Sequence, residues 1–223
     1  MVKLHFFVCA LLVTVLAERA GAQGSEIELL VVPSLTDMRG NSFTDEYSDA
    51  TFHISAGIGY NYVLQNKFAL KAMLLYDSKG ADKSFSTEIR DANYNLIGIG
   101  ETKFRNDFKY ITLPLLFGRR FGKRVQFELA AGGYAGVLIG QQFEISSPRL
   151  HHSVDLTSNY RKLDFGVSGS ASVYWPLGKQ LSLKAGVLDN LGLADIADYD
   201  VDGGGTIKNN SLGLHVGLNI VLK

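Results

Sequence analysis

Apolar and polar residues alternate with a period of two along most of the chain, the mark of strands whose two faces meet different surroundings. The clearest run is the last, where Leu212, Leu214, Val216, Leu218, Ile220 and Leu222 alternate with Gly213, His215, Gly217, Asn219 and Val221. Before it, Leu181, Leu183, Ala185 and Val187 oppose Ser182, Lys184 and Gly186. Phe165, Val167, Ala171, Val173 and Trp175 oppose Asp164, Gly166, Ser168, Ser170, Ser172 and Tyr174. In the middle, Val125, Phe127, Leu129 and Ala131 oppose Gln126, Glu128, Ala130 and Gly132. Earlier, Phe68, Leu70, Ala72, Leu74 and Tyr76 face away from Lys71, and Phe52, Ile54, Ala56, Ile58 and Tyr60 from His53, Ser55, Gly57 and Gly59. Two runs are less regular. Residues 26–35 start Glu26-Ile27-Glu28-Leu29 and are then apolar on both faces, and in 106–121 Pro114 removes a ladder donor. The pattern predicts eight strands, at 26–36, 50–64, 67–79, 105–121, 124–143, 160–176, 179–191 and 208–222.

The connections alternate in length. Residues 64–67, 121–124 and 176–179 are tight turns, whereas 37–49, 80–104, 144–159 and 192–207 are long, polar and rich in Asp, Asn, Ser and Gly. Within 80–104, Ser84–Arg90 and Leu96–Phe104 flank Asp91-Ala92-Asn93 as a hairpin would. Short turns at one end and long loops at the other, with an even strand number, is the layout of a transmembrane β-barrel. A soluble barrel or sandwich has the same alternation with its faces reversed. The polar faces here favour the membrane form, because they are mostly Gly, Ser and Ala with a few charges, as suits a crowded barrel interior. Aromatics also bracket the apolar faces, in the pairs Phe52 and Tyr60, Phe68 and Tyr76, and Phe165 and Trp175, at girdle spacing. The fold expected is all-β, an eight-stranded antiparallel up-and-down transmembrane β-barrel following an N-terminal signal peptide.

The beginning of the chain supports export. Lys3 precedes an apolar stretch from Leu4 to Leu16, and Ala20-Gly21-Ala22 is a small-residue cleavage site before Gln23. This divides the chain into a signal peptide over 1–22 and a single barrel domain over 23–223. The only cysteine, Cys9, falls in the leader, so the barrel has neither a disulfide nor a thiolate metal site. Without Lys3, Glu18 and Arg19 the mature chain holds 20 basic and 21 acidic residues, a balance with no sign of a nucleic-acid partner. No other stretch has 18 uninterrupted apolar residues, which excludes a helical membrane protein. The location expected is the outer membrane of a Gram-negative cell.

The run Tyr110-Ile111-Thr112-Leu113-Pro114-Leu115-Leu116-Phe117-Gly118 resembles a strand of the PorT-type outer-membrane barrels of Bacteroidetes. Phe52-His53-Ile54, and Leu181-Ser182-Leu183-Lys184-Ala185-Gly186 leading to Leu191-Gly192-Leu193, are similar to that family as well. The resemblance spans most of the mature chain and implies an eight-stranded outer-membrane barrel. The family's named member assists the type IX secretion machinery, so a secretion-accessory role is among the implied functions.

Candidate chemistry is sparse. With the apolar faces toward lipid, Lys71, Glu128, Asp164, Lys184 and His215 point inward, and burial requires them to pair across the lumen. Tyr134 and Tyr174 would fill that space, with Gly57, Gly59, Gly132, Gly166, Gly213 and Gly217 making room. His53 with Ser55, and His151-His152 with Ser153, set His and Ser two apart, as lipid A deacylases do. The Asn that follows the Ser in those enzymes is replaced by Ala56 and Val154, and no acid completes a triad, so no enzyme activity is expected. Asp198-Tyr199-Asp200-Val201-Asp202-Gly203 matches the opening of a calcium loop and makes Asp198, Asp200 and Asp202 a candidate weak calcium site. Asn209 stands at the twelfth position in place of the bidentate Glu, so a plain acidic turn is the favoured reading and no cofactor is required. The function expected is a small monomeric barrel in outer-membrane lipid with a structural, interaction or secretion-accessory role and other envelope or secretion proteins as partners. The alternative is a narrow channel for small solutes or ions.

Overall fold

The computed structural model describes residues 22–64, 66–90, 93, 95–148, 150–201 and 204–222. Apart from Ala22 the expected leader lies outside these residues. In chain order the elements are β1 (Ala22–Arg39), α1 (Ser42–Tyr47), β2 (Asp49–Leu64), β3 (Phe68–Arg90), β4 (Leu96–Phe121), β5 (Gln126–Ser147), β6 (Leu150–Asp155), β7 (Leu163–Pro176), β8 (Leu181–Gly192) and β9 (Lys208–Leu222). Every pairing is antiparallel. β1 bonds both β2 and β9, and β4 bonds β5, so eight strands close into a ring and leave no edge within the wall. β6 stands outside the ring, paired only with the far end of β5.

The period of two places the side chains. On β9, Leu212, Leu214 and Val216 are 57%, 61% and 49% exposed on the outer wall, while Ser211, His215 and Asn219 are buried inside. Outward aromatics collect near the two ends. Tyr60, Phe121, Phe127 and Trp175 lie toward the tight turns, and Phe52, Tyr76 and Phe165 toward the long loops.

The long connections are more ordered than their polar composition implies. Most of 80–104 continues β3 and β4, which stay paired from Asp82↔Arg105 up to Arg90↔Leu96. The eight steps from Asp82 to Arg90, at about 3.3 Å each, carry this hairpin roughly 26 Å past the wall. The 144–159 stretch is not an irregular loop. It contains β6, paired with β5 from Gln142↔Asp155 to Ser147↔Leu150, so a four-stranded sheet β3-β4-β5-β6 projects from the loop end. Residues 37–49 hold α1, whose N-cap Asn41 accepts from Thr44 N at 2.7 Å. Part of the last connection, 194–197 with Ile207, turns inward. Ala194, Ile196 and Ala197 are buried, held by Arg161 N to Ile196 O (2.8 Å) and Ile196 N to Ile207 O (2.8 Å). These apolar side chains are covered at the barrel mouth, so this part of the connection packs onto the barrel instead of standing free of it.

Candidate functional site

The barrel interior is the most chemically dense region of the molecule, and it is built in layers. Nearest the tight turns is an ionic layer. Arg120 of β4 donates to both oxygens of Glu26 on β1 (2.7 and 2.6 Å), and through Nε to Glu128 Oε2 on β5 (2.9 Å). Lys71 of β3 donates to Glu128 Oε1 at 2.5 Å and to the Tyr174 hydroxyl at 3.3 Å, and Tyr174 donates to the same carboxylate oxygen at 3.1 Å. Lys184 of β8 donates to Glu28 Oε1 on β1 at 2.5 Å, and Asn61 to Glu28 Oε2 at 3.2 Å. Three carboxylates thus meet three cations; the Lys71–Glu128, Arg120–Glu26 and Lys184–Glu28 pairs join strands that are not neighbours in the ring, while Arg120–Glu128 links the adjacent β4 and β5. The Arg120 guanidinium also lies over the Tyr174 ring, 4.3 Å from its centre.

Above this layer an apolar belt of Leu30, Val32, Met73, Leu75, Leu116, Ala130 and Leu188 crosses the lumen. A second ionic layer follows. Lys79 contacts Asp164 at 3.1 Å and Asp77 at 3.4 Å and lies over the Tyr134 ring at 4.4 Å. Ser55 (2.7 Å) and Thr112 (3.1 Å) donate to Asp77, and Tyr134 donates to Asp164 at 3.3 Å. Gly166 is required beside Tyr134, since a Cβ there would sit 2.8 Å from Tyr134 Cε1 and 2.1 Å from Leu191 O. At the loop end an apolar plug closes the mouth, made of Met38, Ala81, Phe108, Tyr110, Leu138, Tyr160, Ile196, Ala197 and Ile207. Burial pushes the Tyr160 phenol above its usual range, so it remains a neutral hydrogen-bonding group opposite Tyr199.

The sequence-derived residues fall as follows. Lys71, Glu128, Asp164 and Lys184 all lie in the lumen, but Lys71–Glu128 is the only pair formed within that set. Asp164 and Lys184 take Lys79 and Glu28, which were not anticipated. His215 faces Ser172 Oγ at 3.0 Å. Glu26, Glu28, Asp77, Lys79 and Arg120 complete the ionic layers, and all share the parity of inward neighbours. Asp198 is mostly exposed and lies 3.8 Å from the Arg161 guanidinium, Asp200 is exposed, and Asp202 is outside the described residues. Among the described residues no group of three or more His, Cys, Asp or Glu converges as metal ligands.

His53 and Ser55 do not pair. Ser55 serves Asp77, while His53 Nδ1 lies 2.7 Å from Thr36 Oγ1 and its Nε2 2.8 Å from Asp107. A hydroxyl, an imidazole and a carboxylate therefore stand in triad order, with an acid that the sequence did not reveal. The hydroxyl is unsuited to attack. Thr36 is fully buried, donates to Gly80 O at 2.8 Å and accepts from Gly80 N at 3.0 Å. His151 and His152 lie exposed on β6.

The sequence model of the family described as "Outer membrane protein beta-barrel domain" matches residues 22–198. No curated protein matches the chain. Among solved structures, the chain is similar to the E. coli Outer Membrane Protein W, with 13% identity, a TM-score of 0.46, and 91% of this chain and 99% of that one covered. It is also similar to Neisserial surface protein A, at 10% identity and a TM-score of 0.45 over 91% and 99% of the two chains. OprG from Pseudomonas aeruginosa aligns at 9% identity and a TM-score of 0.43 over 91% and 98%.

Proposed function

The chain belongs to the outer membrane protein β-barrel domain family and resides in the outer membrane, and from that premise we propose that it is a non-conducting interaction barrel, a closed anchor that holds an extracellular docking sheet. The observation that carries this reading is the projecting β3-β4-β5-β6 sheet. It stands clear of the membrane and exposes Leu96, Ile97, Ile99 and Leu150 at 54%, 57%, 74% and 55%. Apolar side chains kept in water on a rigid sheet mark a contact surface. The outer edge of β6 adds unpaired backbone groups to which an extended segment can bond. The partners proposed are other envelope or secretion proteins, and the PorT-type resemblance makes a secretion-accessory role the specific form of the proposal. The barrel acts as a monomer, with no cofactor, nucleic acid or enzymatic step.

The layered lumen supports the anchor reading over the channel reading. An eight-stranded ring leaves space only for side chains, and here two ionic layers, an apolar belt and an apolar plug occupy it in series. The test is photocrosslinking in living cells from residue 97 or 99, compared with the same probe at residue 214 on the lipid-facing wall. Protein adducts from 97 or 99 that residue 214 does not give support the proposal. Absence of adducts at both sites, with the barrel folded, overturns it.

A further inference from the structure

The two ends of the barrel differ in charge. Lys67, Arg119, Lys123, Arg124 and Lys179 are exposed around the tight turns, whereas Glu26 there is buried against Arg120. Short turns face the periplasm in outer-membrane barrels, so this cationic collar lies at the level of the inner-leaflet headgroups.

Arg119 is set apart within the collar. It points outward on β4, in line with Leu115 and Phe117 of the lipid-facing wall. Its guanidinium carbon lies 5.3 Å from the centre of the Phe68 ring and 5.4 Å from that of Phe121. Among the described residues no carboxylate pairs with it. Next to it, Lys67 occupies the left-handed region at φ +62°, while the neighbouring turn places Gly122 there at φ +96°. A side chain at such a position is disfavoured relative to glycine. The Lys67 ammonium donates to Gly122 O at 2.9 Å, which holds it beside the opening between the two turns. That opening is a shallow, solvent-open cleft of about 620 Å³ whose lining includes Lys67, Phe68, Arg119, Arg120, Phe121 and Gly122.

We propose that this cleft is a binding site for an anionic phospholipid of the periplasmic leaflet. Arg119 and Lys67 receive the phosphodiester, the guanidinium presenting paired donors to two phosphate oxygens. Phe68 and Phe121 hold the guanidinium at the interface, and the acyl chains run along Leu115 and Phe117. Two cations facing one phosphate favour a headgroup with net negative charge, such as phosphatidylglycerol, over the zwitterionic phosphatidylethanolamine.

The test is native mass spectrometry of the full mature barrel, titrated with phosphatidylglycerol, phosphatidylethanolamine or glycerol phosphate, after gel mobility shows each variant folded. The parent should retain phosphatidylglycerol preferentially. Arg119→Gln and Lys67→Gly should each weaken that retention about fivefold, the size of one cation near a lipid surface, while Lys179→Gln leaves it unchanged. Lys67→Gly is the diagnostic variant. It relieves the left-handed backbone, so the barrel should melt no lower than the parent while losing lipid, whereas a purely structural lysine would lower the melting temperature and leave lipid retention alone. Equal retention of both lipids, an equal loss in Lys179→Gln, or displacement by glycerol phosphate without acyl chains would overturn the proposal.

Discussion

Replacing Glu128 by leucine should expose how far the lumen depends on paired charge. The Glu128 carboxylate accepts from Lys71 at 2.5 Å, Arg120 at 2.9 Å and Tyr174 at 3.1 Å. Without it, Arg120 still holds Glu26 through two bonds, but Lys71 keeps only the Tyr174 hydroxyl at 3.3 Å. Its side chain is 0% exposed, and the next carboxylate, Glu28, is already held by Lys184 at 2.5 Å. An uncompensated buried charge costs about 3–5 kcal/mol. With a urea slope of about 2 kcal/mol/M, the unfolding midpoint in lipid vesicles should fall by about 2 M. The single tryptophan, Trp175, faces lipid and reports the transition by fluorescence. Lys71→Met combined with Glu128→Leu removes both ions and should recover most of the loss, since an apolar pair can replace a buried ion pair at little cost. Leu214→Ala, on the lipid-facing wall, leaves no cavity and should cost no more than about 2 kcal/mol of transfer energy. A Glu128→Leu midpoint within about 0.5 M of the parent, or a double variant as weak as the single, would refute the reasoning.

Three further outcomes follow from the layout. Cysteines introduced at Asn93 and Ser158 should label with an impermeant reagent in intact cells and one at Asn66 should not; the reverse pattern would invert the topology. Ile196→Ala, at a fully buried position of the plug, should cost about 2–4 kcal/mol and speed proteolysis within 192–207, whereas unchanged cleavage would mean that this loop does not seal the mouth. Millimolar calcium should leave both the melting temperature and that cleavage unchanged, since Asp198 already faces Arg161; a rise in stability that is lost in Asp200→Asn would establish the cation site.

The strand wall was legible in the sequence because lipid keeps the outer face mostly apolar, so parity is plain in six of the ring strands and weaker in β1 and β4. The lumen was only half legible, because it is not uniformly polar. On β3, Lys71, Asp77 and Lys79 share one face, but Met73 and Leu75 of the apolar belt lie between them and break the alternation. Glu26 and Glu28 were obscured in the same way by Leu30 and Val32, and Arg120 by Leu116. The plug is harder still to read, because Ile196 and Ile207 are buried by residues far away in the chain. β6 owes its form to pairing with β5, not to any alternation of its own.

The account rests most heavily on the lumen being closed. Liposome swelling with arabinose and sucrose tests this directly on the purified, refolded barrel. Layers at Lys71–Glu128 and Lys79–Asp164 under a plug centred on Ile196 predict swelling no faster than in protein-free vesicles. Swelling at porin-like rates for either sugar would show a continuous passage and contradict the packed interior described above.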